Sequence, residues 1–285
     1  MRIDAHHHLW KREQPAPFDY GWLARPGNER IDRDFLPEDL GPHLQACGLD
    51  GAICVQTQHH LGENRWALNL AQQHDWMLGV VGWVDLTSTD CESQLLEFKD
   101  QSKFVGIRHV VQDEPDDFLL RPDVLRGLRV LENHDVPFDL LVYARQLKHA
   151  APLAQTLPKL RIVLNHLGKP RIRDGAFDGW LKDFRVIANC PNVVCKLSGL
   201  ITEADHSRWE IDDLRRYVDA ALDCFGPERL LFGSDWPVCE LAGEYERVYT
   251  AATELTAALS DAERAAIFGI NATRVYGLST KRPVA

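Results

Sequence analysis

Histidines occupy positions 6 and 8 just after a short apolar-alternating segment. On an extended strand their rings share one face, and His7 takes the other. Neutral imidazoles and a carboxylate are the usual ligands of a divalent metal, so His6, His8, His166 and Asp235 could converge on one zinc ion. The same four residues could also act without metal. Asp235 would then be a general base on water, the histidines would bond water or substrate, and Arg108 would polarise a carbonyl. His109 is a second candidate donor for the developing oxyanion.

Each of these residues stands at the end of a short β-branched or apolar run. Eight such runs recur, over residues 2–5, 51–56, 78–84, 104–110, 137–141, 161–165, 193–197 and 230–233. Between and after them, helical periodicity predicts helices over 36–47, 61–74, 91–101, 122–134, 144–156, 177–188, 211–225, 245–259 and 261–275. Strand followed by helix, eight times over, predicts an α/β fold: one (β/α)8 barrel domain spanning residues 1–285, with its active site at the C-terminal strand ends. The alternative, an open doubly wound sheet, would carry a Gly-x-Gly-x-x-Gly turn after the first strand. His6-His7-His8 stands there instead. Residues 9–37 read either as a cover over the barrel mouth or as a packed surface loop.

Composition narrows the function classes. With 32 Lys and Arg against 42 Asp and Glu, the net charge of −10 disfavours nucleic acid as a partner. No apolar run reaches the length of a membrane span or resembles a signal peptide, so a cytoplasmic protein without a membrane partner is expected. The seven cysteines are scattered with no C-x-x-C pair, which suggests neither a disulfide framework nor a cysteine zinc site. Oligomeric state has no signature in the sequence.

Five segments carry a family resemblance: Asp4-Ala5-His6-His7-His8-Leu9-Trp10, residues 106–115 around Arg108-His109, Asn165-His166-Leu167-Gly168-Lys169-Pro170, Cys195-Lys196-Leu197-Ser198-Gly199-Leu200, and Phe232-Gly233-Ser234-Asp235-Trp236-Pro237. Together they resemble the sugar-lactonase branch of the amidohydrolase superfamily, which includes L-fuconolactonases and L-rhamnonolactonases. The resemblance implies a distorted barrel in which Asp235 deprotonates the hydrolytic water and later protonates the leaving alkoxide, with His166 as its helper. A two-metal centre in that superfamily uses a bridging Lys or Glu at the end of strand four, where this chain has Arg108-His109. Members of the lactonase branch are either single-zinc or metal-independent, so the resemblance implies one zinc ion or none.

The implied substrate is a small sugar lactone, such as L-fucono-1,5-lactone or a related aldonolactone. A sugar ring needs a flat apolar wall and hydroxyl partners. Trp10, Trp83 and Trp236 are candidates for the wall, and Gln56, Asp85 and Tyr143 for the rim. Lys196 and Ser198 share one strand face without a nucleophile elbow, which argues against a Ser–Lys nucleophile. Two other readings remain open: a zinc-dependent decarboxylase of a neighbouring branch, and a non-catalytic barrel that binds sugar acids.

Overall fold

The computed structural model describes residues 1–15 and 18–279. Residues 16, 17 and 280–285 of the expected 1–285 domain lie outside the described residues. Eight parallel strands form one sheet in sequence order: β1 Ile3–His7, β2 Gly51–Val55, β3 Met77–Gly82, β4 Phe104–Val110, β5 Phe138–Leu141, β6 Ile162–Leu164, β7 Val193–Leu197 and β8 Leu230–Phe232. A parallel bridge between His7 and Trp236 brings β1 beside β8, so the sheet curls into a nearly closed (β/α)8 barrel. The seam is held by His8 N–H on the Trp236 carbonyl (2.7 Å) and by Asp235 N–H on the His6 carbonyl (2.9 Å).

The helices pack outside the sheet, the longer ones each with an apolar stripe turned towards it, and the strands bury both faces. They are α1 Pro37–Ala46, α2 Leu61–Gln73, α3 Cys91–Leu96, α4 Pro122–Asn133, α5 Ala150–Thr156, α6 Asp178–Ala188, α7 Leu200–Glu203, α8 Ile211–Phe225, α9 Tyr245–Leu255, α10 Asp261–Ala265 and α11 Asn271–Val275. Helix α8 shows the logic: Leu214, Tyr217, Val218, Ala221 and Phe225 are buried at three- and four-residue spacings. Inside the barrel, Ile3, Ala5, Ile53, Val55, Val81, Val163 and Leu231 form a second apolar cluster with Val275, Tyr276 and Leu278 from the chain end. Among the described residues no helix is long and apolar enough to cross a membrane.

Three expectations shift. The first strand runs on through His6 and His7, because a bulge between Asp4 and His7 lets pairing continue. The helices expected over 91–101, 144–156 and 245–259 contract to α3, α5 and α9, and the one expected over 261–275 is interrupted at 266–270 by a wider turn. There Gly269 lies so close to Met1 that a Cβ would sit 2.0 Å from its carbonyl oxygen. Helix α7, too short to show a periodicity, follows β7.

Candidate active site

The bulge in β1 determines which histidines enter the barrel. Ile3 and Ala5 both belong to the interior cluster, so strict alternation would send His7 inward. The extra residue resets the phase, and His6 and His8 face the axis. Gly233 of the β8 end makes room for His6, since a Cβ there would meet His6 Cβ at 2.7 Å. Asp4, one step below, accepts from His6 N–H (3.0 Å), from Ser234 N–H (2.9 Å) and hydroxyl (2.6 Å), and from the Tyr245 hydroxyl (3.0 Å). It ties the two strands that carry the site.

Asp235 Oδ1 is the point of convergence. His8 Nε2 lies 3.4 Å away, His166 Nε2 3.6 Å and His6 Nε2 3.7 Å. Asp235 and His166 leave their strands with φ of 60° and 54°, and Leu167 and Lys169 are also left-handed. Such backbone costs free energy in non-glycine residues and gathers at functional sites. Burial alone would raise the Asp235 carboxyl, but His166, His8 and Lys169 outweigh it and hold the group at about 2. Burial pushes all three imidazoles down, His166 to about 3. The result is a carboxylate among neutral rings.

Arg108 projects from β4 into the same space. Its Nη2 donates to the Gln56 carbonyl and, at 3.4 Å, to Gln56 Oε1, while Gln56 Nε2 donates to the Arg108 carbonyl at 3.1 Å. The buried Nε bonds to no protein atom among the described residues and remains an unused donor. Beneath His6 lies a fully buried ion pair, with Lys196 Nζ 2.5 Å from Asp139 Oδ2. These side chains open onto a cavity of about 580 Å³, lined by His8, Arg108, His166 and Asp235 and walled by Trp10 and Tyr143.

Several candidates stand elsewhere. His109 follows Arg108 on β4 and so takes the opposite face, where Trp83 Nε1–H donates to its Nδ1 (3.3 Å) and its Nε2 meets Glu114 (2.9 Å). It cannot serve an oxyanion beside Asp235, and Trp83, packed with it, is not a cavity wall. Asp85 accepts from Thr87 N–H (2.9 Å) and hydroxyl (2.7 Å) in a turn. Trp236 is fully buried against Phe35, with its indole N–H on Glu240 Oε1 (2.9 Å), facing away from the cavity. Gln56 buttresses Arg108 rather than forming a rim. Lys196 and Ser198 enter separate networks: Ser198 Oγ lies 2.8 Å from His166 Nδ1. The cavity also contains Trp22 and Lys169, the latter paired with Glu203 of α7 at 2.8 Å. Lys169 lies in a segment that already carried the family resemblance. Trp22 sits in an irregular stretch with no periodicity to mark it.

Of the four candidate metal ligands, His6, His8 and Asp235 bring their ligand atoms within 4.8 Å of one another; His166 is not in that group. Zinc needs an imidazole lone pair. His8 offers one, because its Nδ1 is engaged by the Val55 carbonyl at 2.8 Å. His6 fits poorly: Lys196 Nζ lies 3.1 Å from its Nδ1 and Arg108 Nη1 3.5 Å from its Nε2, so both ring nitrogens face cationic donors. A second group, His59, His109 and Glu114, has two of its nitrogens engaged by the N–H groups of Val110 (3.0 Å) and Trp83 (3.3 Å).

The profile of the Amidohydrolase family matches residues 3–278. An L-fucono-1,5-lactonase of Burkholderia multivorans is 39% identical over 290 residues, covering 98% of this chain and 96% of its own. An L-fucono-1,5-lactonase of Burkholderia ambifaria is 40% identical over 249 residues, covering 86% of this chain and 83% of its own. The crystal structure of an amidohydrolase from Burkholderia multivorans with bound zinc superposes with a TM-score of 0.93 at 38% identity, covering 98% of this chain and 100% of that one.

Proposed function

The chain belongs to the amidohydrolase family, and from that premise we propose that it hydrolyses a sugar lactone, of the L-fucono-1,5-lactone type, to the free aldonic acid. The observation that carries the reading is the approach of three imidazoles to Asp235 Oδ1, at 3.4 to 3.7 Å, on a cavity edged by Arg108. His8 and His166 orient a water molecule against the carboxylate. Asp235 takes one proton as the water oxygen attacks the lactone carbonyl carbon. The carbonyl oxygen gains charge, and the Arg108 guanidinium, held by Gln56, stabilises it; one such donor contributes about 3 kcal/mol. Collapse breaks the ring C–O bond, and Asp235 returns its proton to the leaving alkoxide. The second water proton is released as the new carboxylic acid ionises, so each turnover frees one proton.

A zinc ion, when bound, would supply Lewis-acid polarisation of an oxygen, with His8 and Asp235 as holders. The protein groups above give the reaction its base, its orientation and its oxyanion donor. Trp10 and Tyr143 offer apolar walls for a sugar ring, and Lys169 offers an ammonium to its hydroxyls.

The test is proton release, followed with a pH indicator, from purified protein and a panel of six-carbon aldonolactones, with chelator or with added zinc. Release on one stereochemical subset supports the reading. Silence across the panel, with zinc supplied, would overturn it and favour the decarboxylase.

A further inference from the structure

Glu63, the third residue of α2, carries an inference about substrate recognition that rests on the lactonase reading and goes beyond it. Its carboxylate is buried and is held by uncharged donors. Both oxygens accept from Thr57 N–H (2.8 and 3.0 Å), Oε1 also from the Thr57 hydroxyl (2.6 Å), and Oε2 also from Gln58 N–H (2.8 Å). A glutamate at the third position of a helix ordinarily reaches back to the N–H of the capping residue. The cap here is His60, and Glu63 reaches past it to fix the turn that follows β2.

That turn touches both the cavity and a strap of irregular chain beside it. Thr57 lines the cavity, and so do Asp19, Gly21, Trp22 and Arg25 of the strap, residues 18–35. Gln58, also buried, pairs its amide with the Asp19 backbone: Oε1 accepts from Asp19 N–H (3.0 Å) and Nε2 donates to the Asp19 carbonyl (2.9 Å). The far end of the strap has its own anchor, the backbone pair of Trp10 and Phe35 (3.0 and 2.9 Å). Between the two ties, Asp19 Oδ1 accepts from Gly21 N–H (2.8 Å), which opens the tight turn Gly21–Ala24, and Trp22 on that turn meets the Trp10 ring edge-on at 5.4 Å. Gln58 is thus the side-chain tie at the near end, and Glu63 holds its backbone.

We propose that Glu63 is a positioning residue for substrate recognition: through Gln58 it keeps Asp19 and Trp22 in the cavity wall, where Trp22 offers apolar surface to the sugar ring and the Asp19 carboxylate an acceptor for its hydroxyls. Glu63 itself is not among the residues that line the cavity. Asp235, His8, His166 and Arg108 stand on other strands and their ends, so the effect falls on KM rather than on kcat.

The test compares full-length wild type with Glu63→Gln, Gln58→Ala and the double variant. Gln in place of Glu63 keeps the shape of the side chain but can turn an NH2 towards the N–H groups that the carboxylate accepts from. In unliganded protein, hydrogen exchange over residues 18–28 is expected to quicken about tenfold in each single variant, with α8 unchanged. Lactone kinetics are expected to show KM raised about tenfold with kcat within about twofold, and the double variant close to Gln58→Ala alone, because both changes break one connection. Unchanged exchange over 18–28 in a folded variant overturns the proposal, as does a loss that falls on kcat at constant KM or multiplies in the double variant. If Glu63→Gln does not fold, Gln58→Ala decides by the same two readouts. Exchange is read without substrate, so a failed anchor is told apart from silence on lactones, which would overturn the lactonase reading instead.

Discussion

Gly199 lies against the ring of His166 so closely that a Cβ on it would come within 2.6 Å of Nδ1 and 2.7 Å of Cγ. Its φ of 63° is left-handed as well. Gly199→Ala therefore incurs the strain of that backbone, about 1 kcal/mol, and displaces the imidazole from Ser198 and Asp235. The expected outcome is a melting temperature a few degrees lower and a kcat reduced at least tenfold, read by thermal unfolding and lactone turnover on the same samples.

In the proposed mechanism the Arg108 guanidinium serves the oxyanion, and Gln56 holds it through both backbone and side chain. Arg108→Met is expected to lower kcat about a hundredfold, the effect of losing one preorganised donor of about 3 kcal/mol. Gln56→Ala frees the same guanidinium without removing it, and a smaller loss in kcat is expected. Steady-state kinetics check both. A rise in KM at unchanged kcat would instead make Arg108 a substrate anchor.

Lys169 stands at the cavity edge with Glu203 at 2.8 Å and the Tyr143 ring 5.8 Å from its ammonium. A charge-assisted hydrogen bond to a sugar hydroxyl is worth about 1.5–3 kcal/mol, so Lys169→Met is expected to raise KM by about ten- to a hundredfold with kcat little changed. Comparing epimeric lactones shows which hydroxyl it reads: the epimer that already binds weakly should lose least.

Burial holds the His109 imidazole down at about 4, against an ordinary value of 6.5. Between those values the unfolded chain takes up a proton that the folded one refuses, so stability falls as pH drops from about 6.5 towards 4. The slope contributed is at most about 1.4 kcal/mol per pH unit. His109→Gln should flatten the dependence of the urea-unfolding free energy on pH across that window. An unchanged slope would place the proton uptake elsewhere.

The eight strands were legible because buried parallel strands leave apolar runs, and their ends carried His6, Arg108, His166 and Asp235. Phase was less legible. Alternation separates Arg108 from His109, and from sequence alone either could have faced the cavity. The β1 bulge, which turns His6 and His8 inward against the phase of Ile3 and Ala5, leaves no residue signature. Trp236 follows the proposed base in sequence, yet the left-handed turn at Asp235 sends it into the shell against Phe35. Lys196 read as half of a weak nucleophile pair, because its partner Asp139 lies 57 residues away on another strand.

The central claim is that Asp235 activates water against a lactone. Its most direct test is kcat for wild type and Asp235→Asn on the lactone that the wild type opens fastest, with both proteins shown to be folded by circular dichroism. Asn keeps the shape of the side chain but cannot take a proton, and general-base catalysis is typically worth a hundredfold to ten-thousandfold. A thousandfold loss with an unchanged fold is the predicted result. Turnover within tenfold of wild type would contradict the account.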